Sequence, residues 1–192
     1  MVTHNLTGDV IFIIKLVNGT YKKIWIVGKQ SAANIYTFRY ADLDGSNDTT
    51  VVLDCNPYGD KNFIYYSIEN QTVIDRDPVS DSWDLLFTKY NAIQPNGMYY
   101  IVTGIQTNVG IRSIRMEGVD PVIETYDTIL FTDSISNIGS NWKYFDLPNM
   151  AWVIEDSLVF FVENYAGDVY KLVFDGFDGS STGNAYILSL IH

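Results

Sequence analysis

Short apolar segments alternate with polar turns along the whole chain. Breaks rich in Asn, Asp, Gly and Pro recur about every 8–12 residues, the spacing typical of β-sandwiches and barrels. No segment keeps a 3.6-residue apolar period over three turns, which argues against long helices. The pattern predicts strands at 10–14, 21–27, 36–40, 50–55, 62–67, 83–90, 98–103, 111–116, 128–131, 142–145, 152–154, 158–162, 169–174 and 185–191.

The first hairpin has the clearest local pattern. Residues 10–14 (VIFII) are continuously apolar, which predicts a strand covered on both faces. Asn18-Gly19 is the pair preferred in two-residue type I′ turns, so we expect such a turn before the strand at 21–27.

One internal repeat links the two ends of the chain. Residues 12–26 (FIIKLVNGTYKKIWI) align without gaps on residues 160–174 (FFVENYAGDVYKLVF). Gly19 falls on Gly167 and Lys23 on Lys171. Two interpretations stay open: hairpins resemble one another in general, or the fold has two related β-halves.

The composition favours β-structure. Ile and Val number 21 and 17, against 7 Ala and 12 Leu. β-Branched residues fit a pleated, half-buried surface, whereas Ala and Leu favour helices. No linker divides the chain into two parts of different amino-acid composition. We therefore predict a single all-β domain over residues 1–192, made of many short antiparallel strands.

Charge and reactive residues exclude several functions. The net charge of −11 leaves too few cations for nucleic-acid binding, and no apolar run approaches the roughly 20 residues of a transmembrane helix. Cys55 is the only cysteine and is predicted to be a small buried side chain. The histidines are only His4 and His192, and no Gly-rich phosphate loop is present, so we predict that the protein is not an enzyme.

A cluster of acids suggests a candidate metal site. Asp42, Asp44 and Asp48 lie within seven residues, and Ca²⁺ binds carboxylate and amide oxygens. The Gly of this segment stands at the fourth position, whereas an EF-hand has Gly at the sixth. A calcium site and a solvated turn therefore remain the two interpretations.

Two motifs carry a family resemblance. Residues 82–90 (SWDLLFTKY), and residues 158–162 (LVFFV) followed by 166–174 (AGDVYKLVF), resemble the HmuY-like family of Bacteroidota. The resemblance implies an all-β, hand-shaped fold and a secreted or outer-membrane-surface location. The whole chain is also similar to the HmuY-like modules of type IX secretion cargo proteins, so we expect it to be cut from a longer secreted precursor. We also expect a monomer.

The resemblance leaves two functions open. Founding members of the family bind haem through two axial side chains, and here Met116 and Met150 are the nearest soft ligands in the corresponding regions. The other function is a non-enzymatic binding module without a cofactor, whose ligand is a surface or extracellular protein or a glycan. The 14 Tyr and 4 Trp residues could supply an aromatic binding patch for that module.

Overall fold

The computed structural model describes residues 4–93 and 97–191. It is all-β, as predicted: fifteen strands and two 3₁₀ helices form the regular structure of the described chain. The chain divides between Val79 and Ser80 into two compact units. The expectation of one domain over residues 1–192 stays a prediction.

The first unit contains seven strands and one 3₁₀ helix (Asn56–Tyr58). The strands are β1 (Leu6–Thr7), β2 (Ile11–Lys15), β3 (Tyr21–Gln30), β4 (Ile35–Asp42), β5 (Thr49–Asp54), β6 (Tyr65–Ser67) and β7 (Thr72–Ile74). Strands β2 to β5 form an antiparallel meander, and β1 pairs with the same side of β3 as β2 does.

An aromatic cluster forms the core of the first unit. The buried rings of Phe38 and Tyr40 on β4 lie beside Tyr66 of β6, with 5.1 Å between the centroids of Phe38 and Tyr66. Cys55 is buried just beyond the end of β5, which confirms its prediction as a small core side chain. Edge-to-face packing of this kind stabilises a core beyond the area that it buries.

The second unit contains eight strands and a 3₁₀ helix (Thr128–Leu130). The strands are β8 (Leu85–Ile93), β9 (Tyr99–Thr107), β10 (Arg112–Glu117), β11 (Lys143–Asp146), β12 (Ala151–Ile154), β13 (Leu158–Glu163), β14 (Val169–Phe177) and β15 (Ala185–Ile191). Its main sheet has the order β10-β13-β14-β15, and β8–β9 and β11–β12 are separate hairpins.

The main sheet of the second unit is covered on both faces. On one face Phe160 of β13 packs with Trp142 and Phe174, while on the other Phe161 packs with Ile114 and Val169. Strand β13 is therefore buried along five consecutive residues. A continuous apolar run is what such a doubly covered strand requires.

The repeat has the same local structure in both units. The Leu16 N–H donates to Thr20 O at 2.8 Å, and the aligned Asn164 N–H donates to Asp168 O at 3.0 Å. Gly19 and Gly167 have φ values of 87° and 86°. The second strand of each hairpin also shifts its pairing register at the same aligned place, before Gly28 in β3 and before Gly176 in β14. These matched features favour two related β-halves.

The predicted type I′ turn at Asn18-Gly19 is wrong. A type I′ turn needs positive φ at both central residues, and of this pair only Gly19 has it. The Gly19 N–H donates instead to Leu16 O at 2.9 Å, so the turn spans Leu16 to Gly19. This is a three-residue hairpin loop with glycine in the left-handed region that closes it.

Two further predictions about apolar runs are wrong. Strand β2 is not covered on both faces, because Ile11, Phe12 and Ile13 are 62%, 53% and 59% exposed. Residues 128–131 do not form a strand. The carboxylate of Asp127 accepts a hydrogen bond from Ile129 N at 3.1 Å and caps a 3₁₀ turn there.

No helix among the described residues is long and apolar enough to cross a membrane.

Candidate functional site

The largest cavity described in the second unit is a groove beside Lys143. It has a volume of about 1030 Å³, and an adjoining pocket of about 470 Å³ shares Lys89 and Thr103 with it. Strands β8 and β9 supply one wall of the groove, and the segment before β11 supplies Ser136, Ser140 and Asn141. We call the two together the Lys143 groove.

A pair of backbone hydrogen bonds holds these walls together. Ile105 of β9 and Gly139 exchange N–H to O bonds of 2.9 and 3.1 Å. The chain approaches so closely at Gly104 that a Cβ there would lie 2.6 Å from Gly139 O. Glycine is required at this point because any side chain would force β9 away from the segment before β11.

Lys143 is the central charged side chain of the groove. It is buried, and its Nζ donates to Thr103 O at 2.7 Å and to Ser140 O at 3.3 Å. The five ion pairs found among the described residues do not include it. Burial lowers the pKa of Lys143 to about 8, so the side chain is a cation at neutral pH and loses its charge under mildly alkaline conditions.

Aromatic rings surround the Lys143 ammonium. Its Nζ lies 4.0 Å from the ring centroid of Trp142, 4.5 Å from Phe177 and 5.8 Å from Trp152. Trp142 is itself fixed by parallel stacking on Phe174, with 4.0 Å between the ring centroids. Aromatic faces attract cations, so the rings partly replace the water that the ammonium has lost.

The lining of the groove is half polar and half apolar, and its described part contains no acid. Its described residues include no Asp or Glu, although the chain contains 23 of them. The side chains that carry hydroxyl, amide or aromatic groups into the larger cavity are Tyr90, Asn91, Tyr100, Thr103, Gln106, Ser136, Ser140, Asn141, Trp152 and Ser180. Two lysines without opposing carboxylates make this region locally positive.

Two buried polar atoms of the groove have no partner. Thr103 Oγ1 and Trp142 Nε1 make no hydrogen bond to any residue in 4–93 or 97–191. Buried polar groups are normally paired, and each exception needs an explanation. Both atoms are inaccessible to solvent, so a ligand in the groove would reach them only after a local movement of the walls.

The three candidate calcium ligands are already hydrogen-bonded. Asp42 accepts from Lys22 and Asn47, Asp44 accepts from the backbone and hydroxyl of Ser46, and Asp48 pairs with Arg39. These hydrogen bonds, with the Lys22 bond the strongest at Asp42, lower the pKa of all three carboxyls. No group of three or more acids, histidines or cysteines in the described chain is arranged to hold a metal ion.

The two methionines proposed as haem ligands lie in different surroundings. Met116 pairs with Val159 and packs against the Ile114–Phe161 face of the main sheet. Met150 is 73% exposed in the turn between β11 and β12, a hairpin whose Ile154 packs against the opposite face. Neither methionine lines the Lys143 groove. The haem hypothesis stays a prediction to which this placement adds no support.

Sequence reasoning missed Lys143. The apolar pattern predicts only a short strand over residues 142–145 at this place. The burial of Lys143 depends on Thr103 and Ser140, which come from two other segments. The only local signal is that a lysine directly follows a tryptophan at the start of a strand, and this signal is weak.

The chain matches no protein-family model, no curated protein and no solved structure in the three comparisons. The resemblance to the HmuY-like family therefore rests on its motifs alone. The first motif runs through β8, and the second occupies β13 and β14. The function must be argued from the groove.

Proposed function

We propose that this protein is a non-enzymatic binding module that holds an acidic glycan in the Lys143 groove. The observation that carries the proposal is the lining: two lysines, many hydroxyl and amide groups, exposed aromatic rings and no described carboxylate. Sugar hydroxyls pair with amide and hydroxyl side chains, and the apolar faces of sugar rings pack on aromatic rings. A carboxylate or sulfate on the glycan would complement the Lys143 ammonium.

The size and polarity of the groove also support a binding role. Ligand sites commonly have volumes of roughly 300–1,000 Å³ and a few convergent polar groups. Thr103 lines both cavities of the groove, and its hydroxyl has no partner among the described residues. Two smaller cavities, of about 260 and 370 Å³, lie in the first unit, and Asp48 lines both of them.

The non-enzymatic part of the proposal rests on the same lining. Its described residues include no histidine, cysteine or carboxylate, so lysines and tyrosines are the only common acid–base groups among them. The Lys143 ammonium is held by two carbonyl oxygens, which favours binding over nucleophilic attack. The resemblance to the HmuY-like family is the basis for proposing an exported or cell-surface protein.

Affinity electrophoresis with defined polysaccharides tests the proposal. We expect polygalacturonate or heparin in the gel to retard the protein, and neutral dextran to have no effect. Lys143→Met should reduce the retardation at least about tenfold in apparent affinity, because it removes a charged hydrogen-bond donor. Lys29→Met, which changes a lysine of the first unit above the Tyr36 ring, is the matched control and should bind normally.

The pH dependence gives a second readout that does not need a variant. Affinity for polygalacturonate should fall as the pH rises through about 8, because Lys143 then loses its charge. Equal binding of neutral and acidic polymers would refute the acidic ligand class. No binding of any polymer by the folded protein, as judged by circular dichroism, would refute the glycan proposal as a whole.

Haem binding through Met116 and Met150 is kept as a separate proposal. Titration with haemin, before and after reduction with dithionite, should produce a Soret shift if it is correct. Neutral thioethers favour ferrous iron, so the shift should be stronger after reduction. If no shift appears, or if the double variant Met116→Ala and Met150→Ala leaves it unchanged, the axial assignment is wrong.

A further inference from the structure

The outer edge of the first unit's sheet is apolar and unpaired. Strand β2 pairs with β3 on one side, and no strand of the described chain pairs with its other side. Ile11, Phe12 and Ile13 are each more than half exposed along this edge. Proteins usually protect such edges with charges, proline or a covering element, because a bare edge pairs with another strand.

The second unit shows how the equivalent edge is covered. Strand β13 is aligned with β2 in the repeat, and its outer edge carries β10 in an antiparallel ladder from Arg112↔Glu163 to Glu117↔Leu158. The matching edge of β2 has the same backbone geometry without an equivalent of β10 in the described chain. The repeat therefore indicates that an antiparallel strand fits beside β2.

The hydrogen-bond register defines which residues of β2 would face that strand. Since the Leu16 N–H bonds to Thr20 O, the antiparallel alternation directs the backbone polar groups of Phe12 and Ile14 towards β3. Those of Ile11, Ile13 and Lys15 then point outward. The aligned residues of β13 use the same groups to bind β10.

We propose that the partner strand is β2 of a second copy of this chain, related by a two-fold axis at Phe12. The edge segment, residues 9–15, reads Asp-Val-Ile-Phe-Ile-Ile-Lys. Antiparallel pairing centred on Phe12 places Asp9 of each copy opposite Lys15 of the other. It also pairs Ile11 with Ile13, and both of these residues have outward backbone groups.

Charge complementarity selects this register and this occupant. Asp9 and Lys15 are both exposed, and neither takes part in the ion pairs found among the described residues. A register centred on Ile13 would leave both charges without opposite partners. Backbone pairing supplies the affinity in strand addition, and the charges at both ends fix the alignment. This proposal is independent of the Lys143 groove and replaces the expectation of a monomer.

Cysteine cross-linking measures the register directly. In the proposed dimer the two Phe12 residues form a non-hydrogen-bonded pair, with about 4.5 Å between Cα atoms, which is within the range of a disulfide. Phe12→Cys should therefore give a covalent dimer on mild oxidation. Ile14→Cys is the matched control, because it would face Val10 of the other copy and should remain monomeric on a non-reducing gel. The wild-type protein, which keeps the buried Cys55, shows whether that cysteine forms a cross-link by itself.

Swapping the charges at Asp9 and Lys15 gives the second test. Sedimentation equilibrium from about 1 to about 100 µM should show a monomer–dimer equilibrium for the wild-type chain. Asp9→Lys alone or Lys15→Asp alone should weaken dimerisation about tenfold, because each places like charges opposite one another twice. The double variant should restore the wild-type constant.

Three outcomes would overturn the proposal. Efficient cross-linking of Ile13→Cys in place of Phe12→Cys would show a different register. Failure of the double charge exchange to restore association would remove the charge argument. A wild-type chain that stays monomeric over the whole concentration range, with no cross-linking of Phe12→Cys, would mean that β2 does not bind a second copy.

Discussion

Strands β2 and β13 occupy the same place in two related β-meanders, yet their surroundings are opposite. Both are apolar runs that lead into the same hairpin turn, and the second strand of each hairpin is irregular at an aligned place. Phe160 is completely buried, whereas the aligned Phe12 is 53% exposed. The difference shows that the apolar run specifies a strand, while the burial of that strand depends on what the rest of the chain places beside it.

The largest test of this comparison uses the two aligned phenylalanines. We expect Phe160→Ala to lower the free energy of unfolding by about 3–5 kcal/mol, because it opens a cavity in a closely packed core. Phe12→Ala should cost less than about 1 kcal/mol, because half of that ring is already in water. Urea unfolding at submicromolar protein measures both. Equal costs would contradict the assigned difference in burial.

The aligned lysines give a smaller contrast. Lys171 is buried, and its Nζ donates to Glu124 O at 3.0 Å and Val122 O at 3.3 Å, whereas Lys23 Nζ reaches only Leu43 O at 3.4 Å. Lys171→Met should lower the free energy of unfolding by about 1–3 kcal/mol, and Lys23→Met should lower it by less than about 1 kcal/mol. If Lys171→Met stabilised the protein instead, the burial of the ammonium would outweigh its two hydrogen bonds.

The two units should also respond differently to pH. Lys22 of the first unit is paired with Asp42, whose pKa is lowered, so stability from this pair is present above the ordinary carboxyl pKa and is lost below it. Lys143 of the second unit has a pKa lowered to about 8, and none of the ion pairs in residues 4–93 and 97–191 includes it.

Between pH 8 and 10 the unfolded chain keeps a proton on Lys143 that the folded chain releases. The free energy of unfolding of the wild-type protein, relative to Lys143→Met, should therefore rise by at most about 1.4 kcal/mol per pH unit. Urea unfolding of both proteins at several pH values measures this difference. A constant difference across that range would mean that Lys143 titrates normally.

The smallest expected effect concerns the two turn glycines, which are alike in the two units. Gly19 and Gly167 have φ values near +87°, and a Cβ at either would meet no atom within 4 Å. Gly19→Ala and Gly167→Ala should each cost about 1 kcal/mol, because only backbone strain is introduced. Unequal costs in thermal unfolding would indicate that the two turns differ in ways that their hydrogen bonds do not show.

The parts of the fold that could be predicted from the sequence are local. Alternation and turn residues located most strands, and the gapless alignment of Gly19 with Gly167 identified two hairpins with the same loop. The exposure of β2 could not be predicted, because it depends on whether segments distant in sequence pack on its faces, as Trp142 does on β13. The 3₁₀ turn at residues 128–130 is too short to show an apolar period, and the cap at Asp127 is its one sequence signal.

The candidate site was not predictable for the same reason. Lys143 has its environment only because the Ile105–Gly139 bridge brings β9 to the segment before β11. Asp42, Asp44 and Asp48 were conspicuous because they are close in sequence, yet neighbouring donors already occupy them. The calcium site at these three residues stays a prediction, whereas the groove is formed by residues distant in sequence.

The anchoring of Lys143 has a consequence for how this protein can change over evolution. Both acceptors of its ammonium are main-chain carbonyls, of Thr103 and Ser140. Every amino acid supplies such a carbonyl, so substitutions at these two positions leave the acceptors of the cation in place. The side chains of residues 103 and 140 are therefore free to diverge, and descendants of this chain could acquire new ligand preferences while they keep the same charged anchor.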